Sequence, residues 1–166
     1  MRYAMKMFGL VSCLAVSACD GGEGEAGRFV GKWRAEGGTL TKVCPGEGER
    51  AETVAGDVVW IGGGNADLAS TTPLTPCRLK ADVSDGMASI VPGHACTTSD
   101  GAGGKVTVTF DSYTFVLLPL GNTAFEKASG QITHERKGAA TACAFTQAAW
   151  YGRSVGDEAT PSVSVR

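Results

Sequence analysis

The chain has 166 residues, with 17 carboxylates against 15 Lys and Arg and a formal charge of −2. The balance leaves no basic excess to hold nucleic acid, and the length fits one domain with a sizeable core rather than two. His94 and His134 are the only histidines, so an imidazole-based catalytic arrangement would have to use one of them.

At the start of the chain, Arg2 and Lys6 precede an uncharged run from Met7 to Ala18 that contains Phe8, Leu10, Val11, Leu14 and Val16. This charged-then-apolar order is that of a secretory signal. A membrane-spanning helix needs about 20 apolar residues, and this run is shorter. Its last residues, Val16-Ser17-Ala18-Cys19, resemble the lipobox of bacterial lipoproteins: an aliphatic residue three places before the cysteine, then two small ones. The resemblance implies diacylglycerol on the Cys19 thiol, cleavage before it and acylation of the new amino terminus, palmitate being the typical chain. Each buried CH₂ adds roughly 0.8 kcal/mol of membrane affinity, so several chains make a stable anchor.

Asp20 stands where, in enteric bacteria, an aspartate beside the lipidated cysteine signals retention in the inner membrane; inner and outer membrane both stay open. The address implied is the cell envelope, with the domain facing the periplasm or the cell exterior. Residues 1–18 are thus expected to be the signal peptide. Residues 19–27, rich in Gly and Glu, are expected to form a flexible tether. Removing residues 1–18 takes Arg2 and Lys6 away, leaving 148 residues with a charge of −4.

Cys13 leaves with the signal and Cys19 carries lipid, so the folded part retains Cys44, Cys77, Cys96 and Cys143. An even set in an exported domain reads as two disulfides. Zinc is not expected, because no Cys-x-x-Cys pair exists and the gaps of 33, 19 and 47 residues match no standard ligand spacing. Asp85-Gly86 is a favoured two-residue hairpin turn, since both central positions need positive φ. With Ser84 opposite Met87, Cys77 falls opposite His94, close to Cys96. The expected pairs are therefore Cys77–Cys96 and, by remainder, Cys44–Cys143, the latter clasping the two ends of the fold.

Alternation and turn signals recur throughout, without sustained helical periodicity. Strands are expected over residues 31–35, 39–43, 53–61, 66–70, 78–83, 87–91, 105–110, 113–118, 123–126, 130–134 and 140–150, some of them merging. Glu47, Glu49, Arg50 and Glu52 read as a solvated loop. Gly62 to Asn65 and Gly121-Asn122 read as hairpin loops. Asp111-Ser112, where the apolar parity flips between Phe110 and Tyr113, reads as a turn or bulge. The fold class is all-β: a small antiparallel β-barrel or sandwich of about 8–10 short strands with two disulfides, occupying residues 28–151 and followed by a disordered tail over 152–166.

Gly31-Lys32-Trp33, near the start of the mature fold, resembles the Gly-x-Trp signature on the first strand of lipocalins and related calycin barrels. The resemblance implies a tryptophan plugging one barrel end, with an arginine of the final strand across its ring. Arg153 or Arg136 would take that part, and the barrel interior would hold a small apolar ligand.

Other chemistries find little support. Asp100 to Lys105 superficially resembles a phosphate-binding loop, but Ser99 replaces the first required glycine and Val106 the Ser or Thr, so it reads as a flexible connection. There is no Gly-x-Ser-x-Gly, no calcium loop and no recognisable carboxylate pair. The expected function is that of a membrane-anchored, non-catalytic binding or structural protein of the envelope, without cofactor or metal. Its partners would be the membrane, through its lipid, and a small ligand or an envelope protein. The alternatives are a lysozyme or protease inhibitor, with the loops at 62–65 and 99–104 as insertions, and an enzyme of unknown class.

Overall fold

The computed structural model describes residues 24–63, 67–72 and 74–154; the expected signal, lipobox and Cys19, and the chain beyond Ser154, lie outside the described residues. A 3₁₀ turn at Glu25–Arg28 leads into ten antiparallel strands. These are β1 (Gly31–Cys44), β2 (Gly48–Thr53), β3 (Asp57–Gly63), β4 (Asp67–Thr72), β5 (Thr75–Ser84), β6 (Met87–Ser89), β7 (His94–Ser99), β8 (Lys105–Leu117), β9 (Thr123–Arg136) and β10 (Ala139–Arg153).

Hydrogen-bonded neighbours run β10, β9, β8, β6, β5, β4, β3, β1, and β1 returns to β10 along a register from Trp33↔Arg153 to Val43↔Ala144. The ring of pairings closes, so of the two all-β architectures the chain adopts the barrel, and closure leaves these eight strands no free edge along the shared ladders. β2 continues the line of β3 along the other half of β1, and β7 continues the line of β6 along β8.

Several expected strands merge. Residues 31–35 and 39–43 are one strand with a register shift between Ala35 and Gly37, and residues 105–110 and 113–118 join as β8. The parity flip at Asp111 is a bulge, with the register shifting between Phe110 and Ser112. At the β5–β6 turn Asp85 and Gly86 have φ of 51° and 72°, as a two-residue hairpin turn of this kind requires. Ser84 faces Met87 there, but the ladder stops at Asp82↔Ser89.

Some boundaries differ from expectation. Gly48–Thr53, which includes most of the acidic cluster, is not a loop but an exposed strand. It alternates no apolar residues and is held by its ladder to β1, with Lys42 reaching Glu52 at 2.9 Å. Residues 94–99, outside every expected strand, form one paired with β8 from His94↔Phe110 to Ser99↔Lys105. The barrel is also longer at both termini than residues 28–151. Glu25 accepts a hydrogen bond from the Gly86 amide and Ala26 packs on the core, so the last residues of the expected tether belong to the fold. Gly152 and Arg153 complete β10.

Inward positions of the strands form one core, including Trp33, Val58, Trp60, Leu79, Val108, Phe110, Tyr113, Phe115, Phe145 and Tyr151. Gly130 sits in register between Phe110 and Phe145, whose rings meet edge-on at 5.9 Å. A Cβ there would overlap the Thr109 carbonyl and press on the Phe145 ring, so glycine is what lets the two rings touch.

Both disulfides form as paired from the sequence, Cys44–Cys143 and Cys77–Cys96. The first continues the β1–β10 seam one position beyond Val43↔Ala144. The second links β5 to β7, where no β5–β7 ladder exists because β6 ends at Ser89. The first bridge thus extends an existing ladder, whereas the second spans a place in the wall that has none.

Candidate functional site

The resemblance to lipocalins points first at the barrel end that carries the 3₁₀ turn. Trp33, fully buried, donates its indole N–H to the Phe29 carbonyl at 2.8 Å. The Arg153 guanidinium lies 4.6 Å from the centre of the Trp33 ring and donates to the Val30 carbonyl at 3.0 Å and to the Arg28 carbonyl. One side chain of the last strand thus fastens the 3₁₀ turn to the first strand and covers the indole face. Arg136 is exposed at the other end of β9.

Behind this plug the interior is filled by its own side chains. Phe115 contacts Trp33 and Trp60 at 5.4 Å each and Tyr151 at 5.6 Å; Phe29 and Tyr113 each stand 6.2 Å from Trp60. A cavity able to hold a guest would leave exposed surface on its lining. Phe29, Trp33, Trp60, Phe110, Tyr113, Phe115, Phe145 and Tyr151 are each 2% exposed or less.

Among these rings lies a carboxylate that sequence reasoning missed. Glu126, on β9, is fully buried. Gln147 Nε2 donates to its Oε2 at 2.5 Å, and the Tyr151 hydroxyl donates to the same oxygen at 2.7 Å. Burial pushes the Glu126 carboxyl above the ordinary carboxylate range, an effect that hydrogen bonds from Tyr151, Tyr113 and Gln147 only partly oppose. Burial, and then the neighbouring carboxylate, raise the Tyr151 hydroxyl as well. The available signal was parity, since Ala124, Ala128 and Ile132 share Glu126's face of β9, but two alanines mark a buried face weakly.

The folded state therefore holds the Glu126 proton more tightly than the unfolded chain does, so stability is highest below the ordinary glutamate value and falls as pH rises from there through the raised one. Glu126→Gln keeps an acceptor for Tyr151 and removes the titration. Denaturant midpoints are expected to decline between pH 4 and pH 8 in the wild type and to stay flatter in Glu126→Gln, which should be the more stable at pH 8. Glu126→Ala leaves the Tyr151 and Gln147 donors buried without their acceptor, at about 1–3 kcal/mol each, at every pH.

Outside the barrel, β1, β10, β9 and β8 share an open depression of about 390 Å³ lined by Thr39, Thr41, Ser112, Lys127, Ser129 and Thr146 together with Ala128, Gln147 and Ala148. Thr41, Thr146, Ser129 and Ser112 lie in one cross-strand row, with the Ser112 and Ser129 hydroxyls 2.8 Å apart. At its border Trp150 packs on Phe125 with ring centres 4.5 Å apart, and Lys127 Nζ is 5.8 Å from the Phe125 ring.

The loop at 99–104 is tied across by hydrogen bonds to one carboxylate. Asp100 Oδ1 accepts from the Ala102 and Gly104 amides at 2.8 and 2.7 Å, and these bonds hold its carboxyl below the usual range. The amides a phosphate would need are already engaged by this carboxylate. Of the loop expected at 62–65, Gly62 and Gly63 belong to β3, and residues 64 and 65 lie outside the described residues. His94 stands on β7 and His134 is exposed near the end of β9; among the described residues neither bonds a carboxylate. No group of three or more potential metal ligands occurs among the described residues either.

No protein-family model matches this chain, and no curated protein does. The geometry of the barrel is therefore the basis on which function is read.

Proposed function

We propose that this chain is an exported, lipid-anchored envelope protein whose barrel is a plugged, non-catalytic scaffold that binds through its outer surface. The observation that carries this reading is the packed interior. Eight aromatic rings with almost no exposed surface, and a carboxyl among them, argue against an apolar guest and turn attention to the depression over β1, β10, β9 and β8. Trp33 beneath the Arg153 guanidinium supports a lipocalin-like ancestry for the barrel. The two disulfides suit an oxidising compartment, as the lipobox resemblance requires.

The depression suits a ligand rich in hydroxyl groups. Ser and Thr side chains both donate and accept, and Lys127 is the single charge in the lining. The test is an NMR titration with soluble cell-wall glycan fragments. Shift changes are expected to cluster at Thr41, Ser129 and Thr146 and to vanish in Ser129→Arg. Changes at Phe115 and Tyr151 instead, or none, would overturn the reading.

Inhibition of a lysozyme or a secreted protease is the second reading, favoured by the Asp100-tied loop, whose order reduces the entropy lost on entering a cleft. Pull-down of such an enzyme by the wild type, and its loss in Asp100→Ala, is the result that reading expects.

A further inference from the structure

We propose that the barrel end bearing the 3₁₀ turn rests on the surface of the same bilayer that holds the Cys19 lipid, with Leu120 and Trp150 as its contact residues. The proposal rests on the lipoprotein reading above and adds to it an orientation and a second membrane contact.

The length of chain between anchor and fold sets the distance. Five residues separate Cys19 from Glu25, the first residue of the 3₁₀ turn, and fully extended the connection reaches about 20 Å. A β9 strand of 14 residues, tilted as barrel strands are, makes the barrel roughly 35 Å tall. The end with the 3₁₀ turn is therefore held near the bilayer, and an upright barrel carries its other end well away.

The distribution of exposed apolar side chains selects the same end. Six large hydrophobic residues are exposed among the described residues, and four of them are here: Val30 after the 3₁₀ turn, Ile61 on β3 beyond the Gly31↔Trp60 pair, Leu120 in the β8–β9 turn, and Trp150 three residues before β10 ends. Leu120 is 88% exposed and Trp150 46%. The tip of the β8–β9 turn reads Leu118-Pro119-Leu120, whereas turns at the opposite end read Pro45-Gly46-Glu47 and Lys137-Gly138.

The apolar tip is also held in place. The Leu118 amide donates to the Thr123 carbonyl at 2.9 Å, Gly121 to Leu118 at 2.8 Å, and Arg153 to Asn122 at 2.8 Å. Leu120 is thus presented outward by a fixed turn. Trp150, packed on Phe125, suits the boundary between headgroups and acyl chains, where an amphipathic ring is favoured.

The three tryptophans provide the test, because Trp33 and Trp60 are buried and only Trp150 is exposed. The full-length lipidated protein is reconstituted in phosphatidylethanolamine–phosphatidylglycerol vesicles containing brominated acyl chains. Loss of the Trp150 emission is expected, absent in Trp150→Phe and diminished in Leu120→Asp, with both variants still floating with the vesicles. Emission quenched by aqueous iodide but not by bromolipid, in protein whose Cys19 lipid is confirmed by mass spectrometry, overturns the orientation and leaves the anchor standing. Shielding from both quenchers, reversed on dilution, overturns it in favour of a second copy. Absence of lipid on Cys19 overturns both proposals.

Discussion

Removing the Cys44–Cys143 bridge in a Cys44→Ala, Cys143→Ala double variant is expected to lower stability by about 4.7 kcal/mol, the chain-entropy value for a loop of about 100 residues. The two cysteines are 99 residues apart, yet they join strands already neighbours in the closing ladder, so the bridge acts chiefly on the unfolded chain. The shorter Cys77–Cys96 loop, with a separation of 19, should give about 3 kcal/mol by the same relation. Non-reducing denaturant titrations of the two double variants would compare them directly. The larger loss should fall on the seam bridge. A larger loss at Cys77–Cys96 would mean that the wall between β5 and β7, which has no ladder, is the weaker place.

Trp33→Ala is the other change with a large expected cost, about 3–5 kcal/mol for a buried aromatic. The indole takes with it a hydrogen bond to Phe29, a ring contact with Phe115 and the surface on which Arg153 lies. Trp33→Phe separates these effects, because it keeps much of the ring but loses the N–H and part of the cation–π attraction. A double-mutant cycle of Trp33→Phe with Arg153→Met should yield a coupling of about 0.5–2 kcal/mol. Additive losses would mean that Arg153 acts only through the Arg28 and Val30 carbonyls.

What could be read in the sequence was whatever carried a strong local signal. Asp85-Gly86 announced a turn because few residue pairs accept positive φ at both positions. The β8 strand announced itself through Val106, Val108 and Phe110, and its bulge through the parity change to Tyr113 and Phe115. The disulfides followed from an even count of cysteines and one hairpin register. That inference reached the right pairing although the ladder it extrapolated ends at Ser89, because the cysteines meet across the gap that ladder leaves.

The strands that went unread are placed by their ladders and by isolated side-chain links rather than by alternating apolar residues. β2 is exposed along its whole length, and Glu52 pairs with Lys42 and Arg50 with Glu47 where buried apolar residues would give the signal. In β7 the Pro92-Gly93 turn signal runs directly into the strand, and Cys96 is its only buried residue. The candidate site was less legible still. Glu126 and the hydroxyl row acquire meaning only from which strands lie side by side, and that adjacency is decided by barrel closure rather than by any local pattern.

The seam between β1 and β10 has a kinetic consequence. It joins the first strand of the chain to the last, so the contact that closes the barrel is also the most distant in sequence, and such contacts form slowly. Until β10 joins the sheet, β1 lacks its closing partner and the sheet ends in two unpaired edges. Oxidation of Cys44 with Cys143 before the strands align would trap no wrong partner in the wall, only bring the right two together. The bridge that stabilises the finished barrel is placed where it would also shorten the search for it.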